Sequence, residues 1–450
     1  EQDPQAIYQS VLDAVGECVT ALTENGRSAG DIRVCGISNQ RETLLLWDES
    51  GTPLHNAVVW QCKRPVEICR RLAGTATEEA IRARTGLIVD PYFSGTKVIW
   101  LNENVPAVAR ALDAGEALFG TVDTWLLYRL TGGRAYLTDY TNACRTLFFN
   151  VDRLEWDRDL LEQFGMPRLR LPDCRSSAAE FGETDFEGRL PGPVPVGAMI
   201  GDSHASAFGQ GCFDPGSAKV TMGTGSSVLM NTGKSRKESR TGMVSTICFS
   251  AADRVDYALE GIIVSCGSTL TWLKDQLRAY SDVGELEESA RRLQSNEGVY
   301  IVPAFAGLGA PHWRMDARAS IQGLTFQTSR DHILRAALES IAYQVKDVVA
   351  AMERDSGMSL EELVADGGIS RNGFVMQLCA DLLGARVVQR GIAEVSALGA
   401  ACLAGLTSGI FSSIDGLRAL HAAPRCYSPD TGNRTAEAGY QGWLQAVRKM

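Results

Sequence analysis

An α/β fold in two domains with a cleft between them is the class this sequence predicts, on three observations. The chain has 450 residues, too many for one ordinary core and enough for two of roughly 200 residues each. Helix-period runs and short β-rich runs follow one another along it. Polar and acidic residues and glycines collect where several apolar runs end, the usual place for a site in α/β proteins.

Composition narrows the function class. A hydrophobic fraction of 45% and a charged fraction of 22% are those of a globular protein. The net charge of -10 argues against a nucleic-acid or anionic-membrane surface, while still allowing a nucleotide held by backbone amides and a metal ion. Twelve cysteines run from Cys18 to Cys426 without a Cys-x-x-Cys pair, and the five histidines stand apart. No zinc pattern is present, and reduced thiols in the cytoplasm are expected. The start, Glu1-Gln2-Asp3-Pro4, has no signal-peptide character, and no apolar run is long enough to span a bilayer.

Taken in order, Ile7, Val11, Val15, Val19 and Leu22 predict an amphipathic helix over residues 5 to 26. Strands are expected at Arg33 to Ser38, Leu44 to Asp48 and Ala57 to Trp60, the first ending in Asn39-Gln40-Arg41-Glu42-Thr43. Trp60-Gln61-Cys62 leads towards a helix, another is expected over Asp157 to Phe164, and Val194 to Ile200 reads as a strand. The second half predicts strands at Tyr257 to Glu260, Val299 to Val302 and Leu363 to Asp366. Helices are expected at Ser265 to Tyr280, Gly373 to Leu383, Ser396 to Gly405 and around Tyr440 to Val447. The small residues of Ser396 to Gly405 predict close packing against a neighbour.

The stretch from Ile200 to Asn231 joins two pieces of chemistry. Asp202 follows a glycine at the end of an apolar run, so its carboxylate is expected at a cleft, in the position of a general base. Gly223-Thr224-Gly225 lies between β-rich runs and predicts a tight turn whose amides and one hydroxyl face an anion such as a phosphate. Alone, either feature is commonly a cap or a hairpin turn. Together they point to phosphoryl transfer to an alcohol. Downstream, Gly367-Gly368 before a helix lets a flat ring or a phosphate approach the backbone, and Asn372 offers both a donor and an acceptor. His312, beside Trp313 in a loop, is expected to be structural.

Asn39 to Thr43, Val59-Trp60-Gln61-Cys62, Asp90 to Lys97 and Phe119 to Leu126 resemble the FGGY carbohydrate kinase family, closest to its glycerol kinase members, whose fold is the actin-like or ribonuclease-H-like ATPase fold. Both family signatures are met, by Tyr92 to Asn104 around Lys97 and Trp100 and by Ala319 to Glu339 around Gly323, and the likeness runs over essentially the whole chain. The resemblance implies ATP-dependent phosphorylation of glycerol to sn-glycerol 3-phosphate, or of a closely related small polyol, with Mg2+ accompanying ATP. It implies a domain over residues 1–210 on the polyol side, using Arg41, Glu42, Trp60, Tyr92 and the catalytic base Asp202, with Ser203 and Ser227 also facing the substrate. It implies a second domain, over residues 211–450, that binds the nucleotide through Thr224, Gly267, Thr271, Gly368 and Asn372. The small polyol is the expected partner, nucleic acid and membrane are not, and a homo-oligomer stays open.

The sequence departs from the family pattern in several places. The Asp-x-Gly-Thr-Thr hairpin that holds phosphate and Mg2+ at the start of family members is absent from these residues. The 450-residue form is therefore expected to bind ATP weakly and transfer little phosphate, and a non-catalytic nucleotide- and polyol-binding protein is the alternative. Thr271 stands where glycerol kinases often have glutamine, Ser203 where they have glutamine after the base, and Ser227 where they have a phenylalanine that packs on glycerol. The space left at Ser227 suits a larger polyol or sugar. Pro193 occupies the place of an arginine that binds a regulatory sugar bisphosphate, so that regulation is not expected.

Overall fold

Strands buried on both faces show no alternation of exposed and buried residues, and two strands of this molecule show that pattern. Val244–Ala251 is buried along its whole length, and Val194–Gly201 at every residue but Pro195. A computed structural model describes residues 1–314, 316–420, 424–430 and 432–450. Among the described residues these strands belong to a ten-stranded sheet. Its order is Cys35–Asn39, Val194–Gly201, Ala178–Thr184, Val244–Ala251, Arg254–Ile263, Ser226–Gly233, Ser217–Met222, Glu362–Asp366, Arg386–Gln389 and Arg425–Tyr427. The first three strands come from residues 35–201 and the others from residues 217–427. Where the two sets meet, one registered pair, Ala178 with Ala251, joins them.

Two parallel pairings place the site. Cys35–Asn39 pairs with Val194–Gly201 so that Asn39 lies opposite Gly201. The segments that follow, one carrying Arg41 and Glu42 and the other Asp202, therefore leave the sheet side by side. In the second set Ser217–Met222 pairs with Glu362–Asp366, Thr221 opposite Asp366, and the turns at Gly223 and Gly367 leave side by side in the same way. Sites at the carboxyl ends of parallel strands follow from this geometry.

Helices cover both faces. The first, Pro4–Glu24, is capped by Asp3, which accepts from Gln5 N at 2.8 Å, and has proline in its first turn. It buries Tyr8 and Leu12 in a cluster with Trp47 and Trp125. A helix of 27 residues, Arg330–Ser356, starts at a reciprocal cap between Ser329 and His332 and stops at Gly357, whose φ is 69°. Leu334, Leu338, Ile341, Val345, Val348 and Met352 recur on it at helical spacing and fill the core of the second half.

The helix Val395–Thr407 is built of small residues because backbone lies directly against it. A Cβ on Gly399 would stand 1.9 Å from Ala205 O, and one on Gly209 2.4 Å from Val395 O. This packing seats the helix Asp202–Gly209, and Ser396 Oγ donates to Asp202 O at 2.9 Å.

The helices expected in the sequence at 157–164, 373–383 and 440–447 are found at Arg158–Gln163, Gly373–Leu383 and Arg434–Arg448. The one expected over 265–280 is shorter, Gly267–Asp275. The strand expected at Ala57–Trp60 does not form. Ala57 and Val58 make single bridges to Gln2 and Leu44, while Trp60 N turns to Thr43 Oγ1 at 3.2 Å, and the next helix waits until Val66. All twelve cysteines are free. Among the described residues no helix is long and apolar enough to cross a membrane.

Candidate active site

Asp202 is the first residue of the helix Asp202–Gly209, and its side chain is 49% exposed. The preceding glycine is required by its neighbour, because a Cβ on Gly201 would stand 2.6 Å from Arg41 Cγ. Arg41 Nε approaches Asp202 Oδ1 at 3.3 Å without aligning as a hydrogen bond, so Nε is a buried donor with no partner. The two terminal nitrogens of Arg41 are engaged elsewhere. Nη1 and Nη2 donate to the two carboxylate oxygens of Glu260 at 3.1 and 2.8 Å.

Glu42 lies beside them with φ of 59°, a backbone conformation that side-chain-bearing residues adopt at a cost. Its surroundings hold it there. Its carbonyl accepts from Ser94 Oγ at 3.0 Å and from Lys97 Nζ at 3.5 Å, and its carboxylate accepts from Arg145 Nε at 2.6 Å. Lys97 also donates to Tyr92 O. Burial pushes the Lys97 ammonium down to about 8, against the opposing charge of Glu42. Arg145 Nη1 stands 2.8 Å from Glu260, so one network joins Asp202, Arg41, Glu260, Arg145 and Glu42.

Burial alone would raise the Glu260 carboxyl. Arg145 and Arg41 overcome it and hold the group well below the usual carboxylate range. Burial likewise opposes the Arg41 charge, and Glu260 and Glu42 hold it well above its ordinary value. His204, on the same helix as Asp202, is driven well below its ordinary value by burial and by Arg41. It is neutral and faces Thr246 Oγ1 at 3.3 Å.

The aromatic residues form a wall. Trp60 and Tyr92 meet edge to face with ring centroids 5.7 Å apart, and Trp60 remains 37% exposed. Burial, with the charge of Glu42 beside it, raises the Tyr92 phenol, which keeps it a donor. Ser227 Oγ donates to Glu260 at 2.9 Å, and Ser203 Oγ lies 3.3 Å from Ser227 Oγ. The structure thus brings Arg41, Glu42, Asp202, Ser203 and Ser227 into one connected group, with Tyr92 and Trp60 alongside.

The second group is made of turns. Gly223–Gly225 closes the hairpin between Ser217–Met222 and Ser226–Gly233, and Thr224 at its tip is exposed. Cys266 N and Ser268 N donate to Thr224 O at 3.0 and 3.1 Å, and Gly267 N to Gly223 O at 2.9 Å. The start of Gly267–Asp275 is thereby laced to the hairpin, and a Cβ on Gly267 would meet Gly223 O at 2.7 Å. Thr271 follows one turn later on the exposed side of that helix. Gly367, with φ of 88°, abuts Met222 at the other edge of the hairpin, and Ile369 Cδ1 lies 3.3 Å from the Cβ position of Gly267. Gly368, next to Gly367, therefore borders the same turns, and Asn372 follows at the end of that short 3₁₀ turn.

Two expectations need adjustment. Not every amide of the Gly223–Gly225 turn faces outward, because Gly223 N is taken up by Gly225 O at 3.0 Å. Nor is Asn372 wholly uncommitted: its Oδ1 caps Gly373–Leu383 by accepting from Val375 N at 3.1 Å, which makes its NH2 the group left for a ligand. His312 is structural as expected, held at 3.0 Å by Asp347, which also accepts from Tyr440 and Trp443.

Arg145 and Glu260 are the members of the network that the sequence reading does not single out. Glu260 does carry a signal, since a carboxylate inside the apolar strand run Tyr257-Ala258-Leu259-Glu260-Gly261-Ile262 must find a buried partner. Among the described residues no group of three or more histidine, cysteine, aspartate or glutamate side chains is arranged to hold a resident metal ion.

Comparison with known proteins gives the family and the fold. Residues 1–209 match the N-terminal domain of the FGGY family of carbohydrate kinases, and residues 218–408 match its C-terminal domain. The chain is 46% identical to a glycerol kinase of Symbiobacterium thermophilum and 44% identical to one of Carboxydothermus hydrogenoformans. It is covered completely in both alignments, which span 90% and 89% of those proteins. The fold matches a crystal structure of Plasmodium falciparum glycerol kinase with ADP at a TM-score of 0.92 and 35% identity, over all of this chain and 90% of that one. A xylulose kinase from Lactobacillus acidophilus shares the fold at a TM-score of 0.88 with 20% identity, over 99% of this chain and 88% of that one. The chain belongs to the FGGY family of carbohydrate kinases and has their two-domain ATPase fold.

Proposed function

We propose that this protein transfers the γ-phosphoryl group of ATP to a terminal hydroxyl of glycerol, giving sn-glycerol 3-phosphate and ADP. The observation that carries the reading is the half-exposed Asp202 carboxylate at the start of its helix, beside the buried Arg41 and Glu42. Asp202 takes the hydroxyl proton as the oxygen bonds to the γ-phosphorus and the bond to the β-γ bridging oxygen breaks. Arg41, Glu42 and Tyr92 bind the other hydroxyls, and Trp60 packs on the carbon spine. Thr224, Gly267, Thr271, Gly368 and Asn372 hold the nucleotide. Thr224 and Ser227 are three residues apart on one hairpin, at most about 10 Å of extended chain, which suits direct transfer between the two groups.

Mg2+ enters with ATP as part of the substrate, an ion that binds through one or two carboxylates and phosphate oxygens and so needs no cage of side chains. Residues 1–210 form the polyol side and residues 211–450 the nucleotide side in this reading. The single pair joining the two sets of strands and the spans of the two family domains support that division.

The test is Asp202→Asn in the full-length, active parent, since the 450-residue form is itself expected to transfer little phosphate. Turnover is expected to fall by roughly 10²-fold or more while ATP binding, measured by calorimetry, is retained. A variant that keeps a tenth of wild-type kcat would remove Asp202 from the role. A second reading, phosphorylation of a polyol with one or two more carbons, is favoured by the hydroxyls of Ser203 and Ser227, which stand where glycerol kinases carry a larger amide and an aromatic ring.

A further inference from the structure

The mechanism above leaves Glu260 unused, although it is the point on which the polyol side converges. It is fully buried on the strand Arg254–Ile263. It takes both terminal nitrogens of Arg41, stands 2.8 Å from Arg145 and accepts from Ser227 Oγ at 2.9 Å. Arg145 in turn holds Glu42 at 2.6 Å. One carboxylate from the second half of the chain therefore orients two charged residues from the first.

A guanidinium between two carboxylates forms its paired bonds with whichever presents both oxygens to its fork. Asp202 is the nearest alternative, at 3.3 Å from Arg41 Nε. We propose that Glu260 is a positioning residue that turns the Arg41 fork away from Asp202 and so leaves the Asp202 carboxylate free for the alcohol. Without Glu260 the fork would rotate onto Asp202, and the base and the polyol-binding arginine would both be lost to each other. The effect is expected mainly on the acceptor side, because Gly223–Gly225 itself makes no hydrogen bond to these side chains among the described residues, and the hairpin reaches the network only at Ser227.

The inference rests on the roles given to Asp202 and Arg41. In the full-length, active parent, glycerol phosphorylation and its loss in Asp202→Asn check those roles separately. Glu260→Gln, which keeps the shape and removes the charge, is then measured for both substrates. The expected result is a glycerol KM raised about ten-fold or more with a lowered kcat, and an ATP KM within about two-fold of wild type. In an Arg41→Lys background the same change is expected to add less than about two-fold, since Glu260 acts through the Arg41 fork. Equal changes in both KM values, an undiminished effect in Arg41→Lys, or wild-type kinetics would overturn the proposal while leaving the kinase reading intact. Should Glu260→Gln fail to fold, Glu260→Asp keeps the charge but cannot reach both fork nitrogens. The same split between the two KM values is expected of it, and a glycerol KM unchanged in that variant counts against the proposal.

Discussion

The two sides of this site are built by opposite means. On the side proposed for the polyol, charged side chains are buried and fixed by one another, as Arg41, Glu260, Arg145 and Glu42 are. On the side proposed for the nucleotide, glycines bring turns together and leave backbone at the surface, as at Gly223, Gly267 and Gly367. The contrast follows from the ligands. A small polyol offers a few hydroxyls at fixed positions and must be met by side chains held in one geometry. A phosphate chain and a flat ring are met by backbone amides and by the room that an absent Cβ leaves.

The largest expected effect of breaking this contrast is at Arg145. Arg145→Met leaves Glu42 and Glu260 buried with less compensation, and removing one partner of a buried ion pair costs about 3 to 5 kcal/mol. Urea denaturation should show that loss, and a variant within 1 kcal/mol of wild type would show the network to be looser than its distances suggest. The next test is Ser227→Phe, where the hairpin passes from the nucleotide side to the polyol side. It removes the hydroxyl bonded to Glu260 and restores a ring against the carbon spine, a difference worth about 1 to 3 kcal/mol in discrimination. The ratio of kcat/KM for glycerol to that for a four-carbon polyol should rise; an unchanged ratio would place Ser227 outside the pocket. The smallest effect belongs to Asn372→Ala. Loss of the cap to Val375 N should cost about 1 kcal/mol of stability and raise the ATP KM, with the glycerol KM unmoved. A rise in the glycerol KM there would mean that the two sides are not independent.

Legibility in the sequence divides along the same line. The turns at Gly223–Gly225 and Gly367–Gly368 can be read from short stretches because glycine punctuates them locally. Asp202 and Arg41-Glu42 are legible as polar residues after strands, and their roles come from the family resemblance. Arg145 and Glu260 are missed because their partners lie 103 and 219 residues away, and nothing local announces an ion pair of that span. The sheet order is hidden for the same reason, since pairing is between strands distant in the chain. At Ala57–Trp60 the apolar run misleads: Val59 and Trp60 serve a turn beside the aromatic wall and are not paired in a sheet. The helix Arg330–Ser356 carries a plain helical period in Leu334, Leu338, Ile341, Val345, Val348 and Met352.

The contact of Gly399 with Ala205 and of Gly209 with Val395 bears on how such an enzyme changes its acceptor. The helix carrying Asp202 is registered by main-chain atoms of its neighbour, so the side chains lining the acceptor pocket do not set its position. If Asp202 is the base as proposed, residues such as Ser203 and Ser227 can be exchanged for larger or smaller ones while it stays where it is. Substrate preference would then be a replaceable lining around a fixed post, a route by which one fold could serve different sugars and polyols through few substitutions.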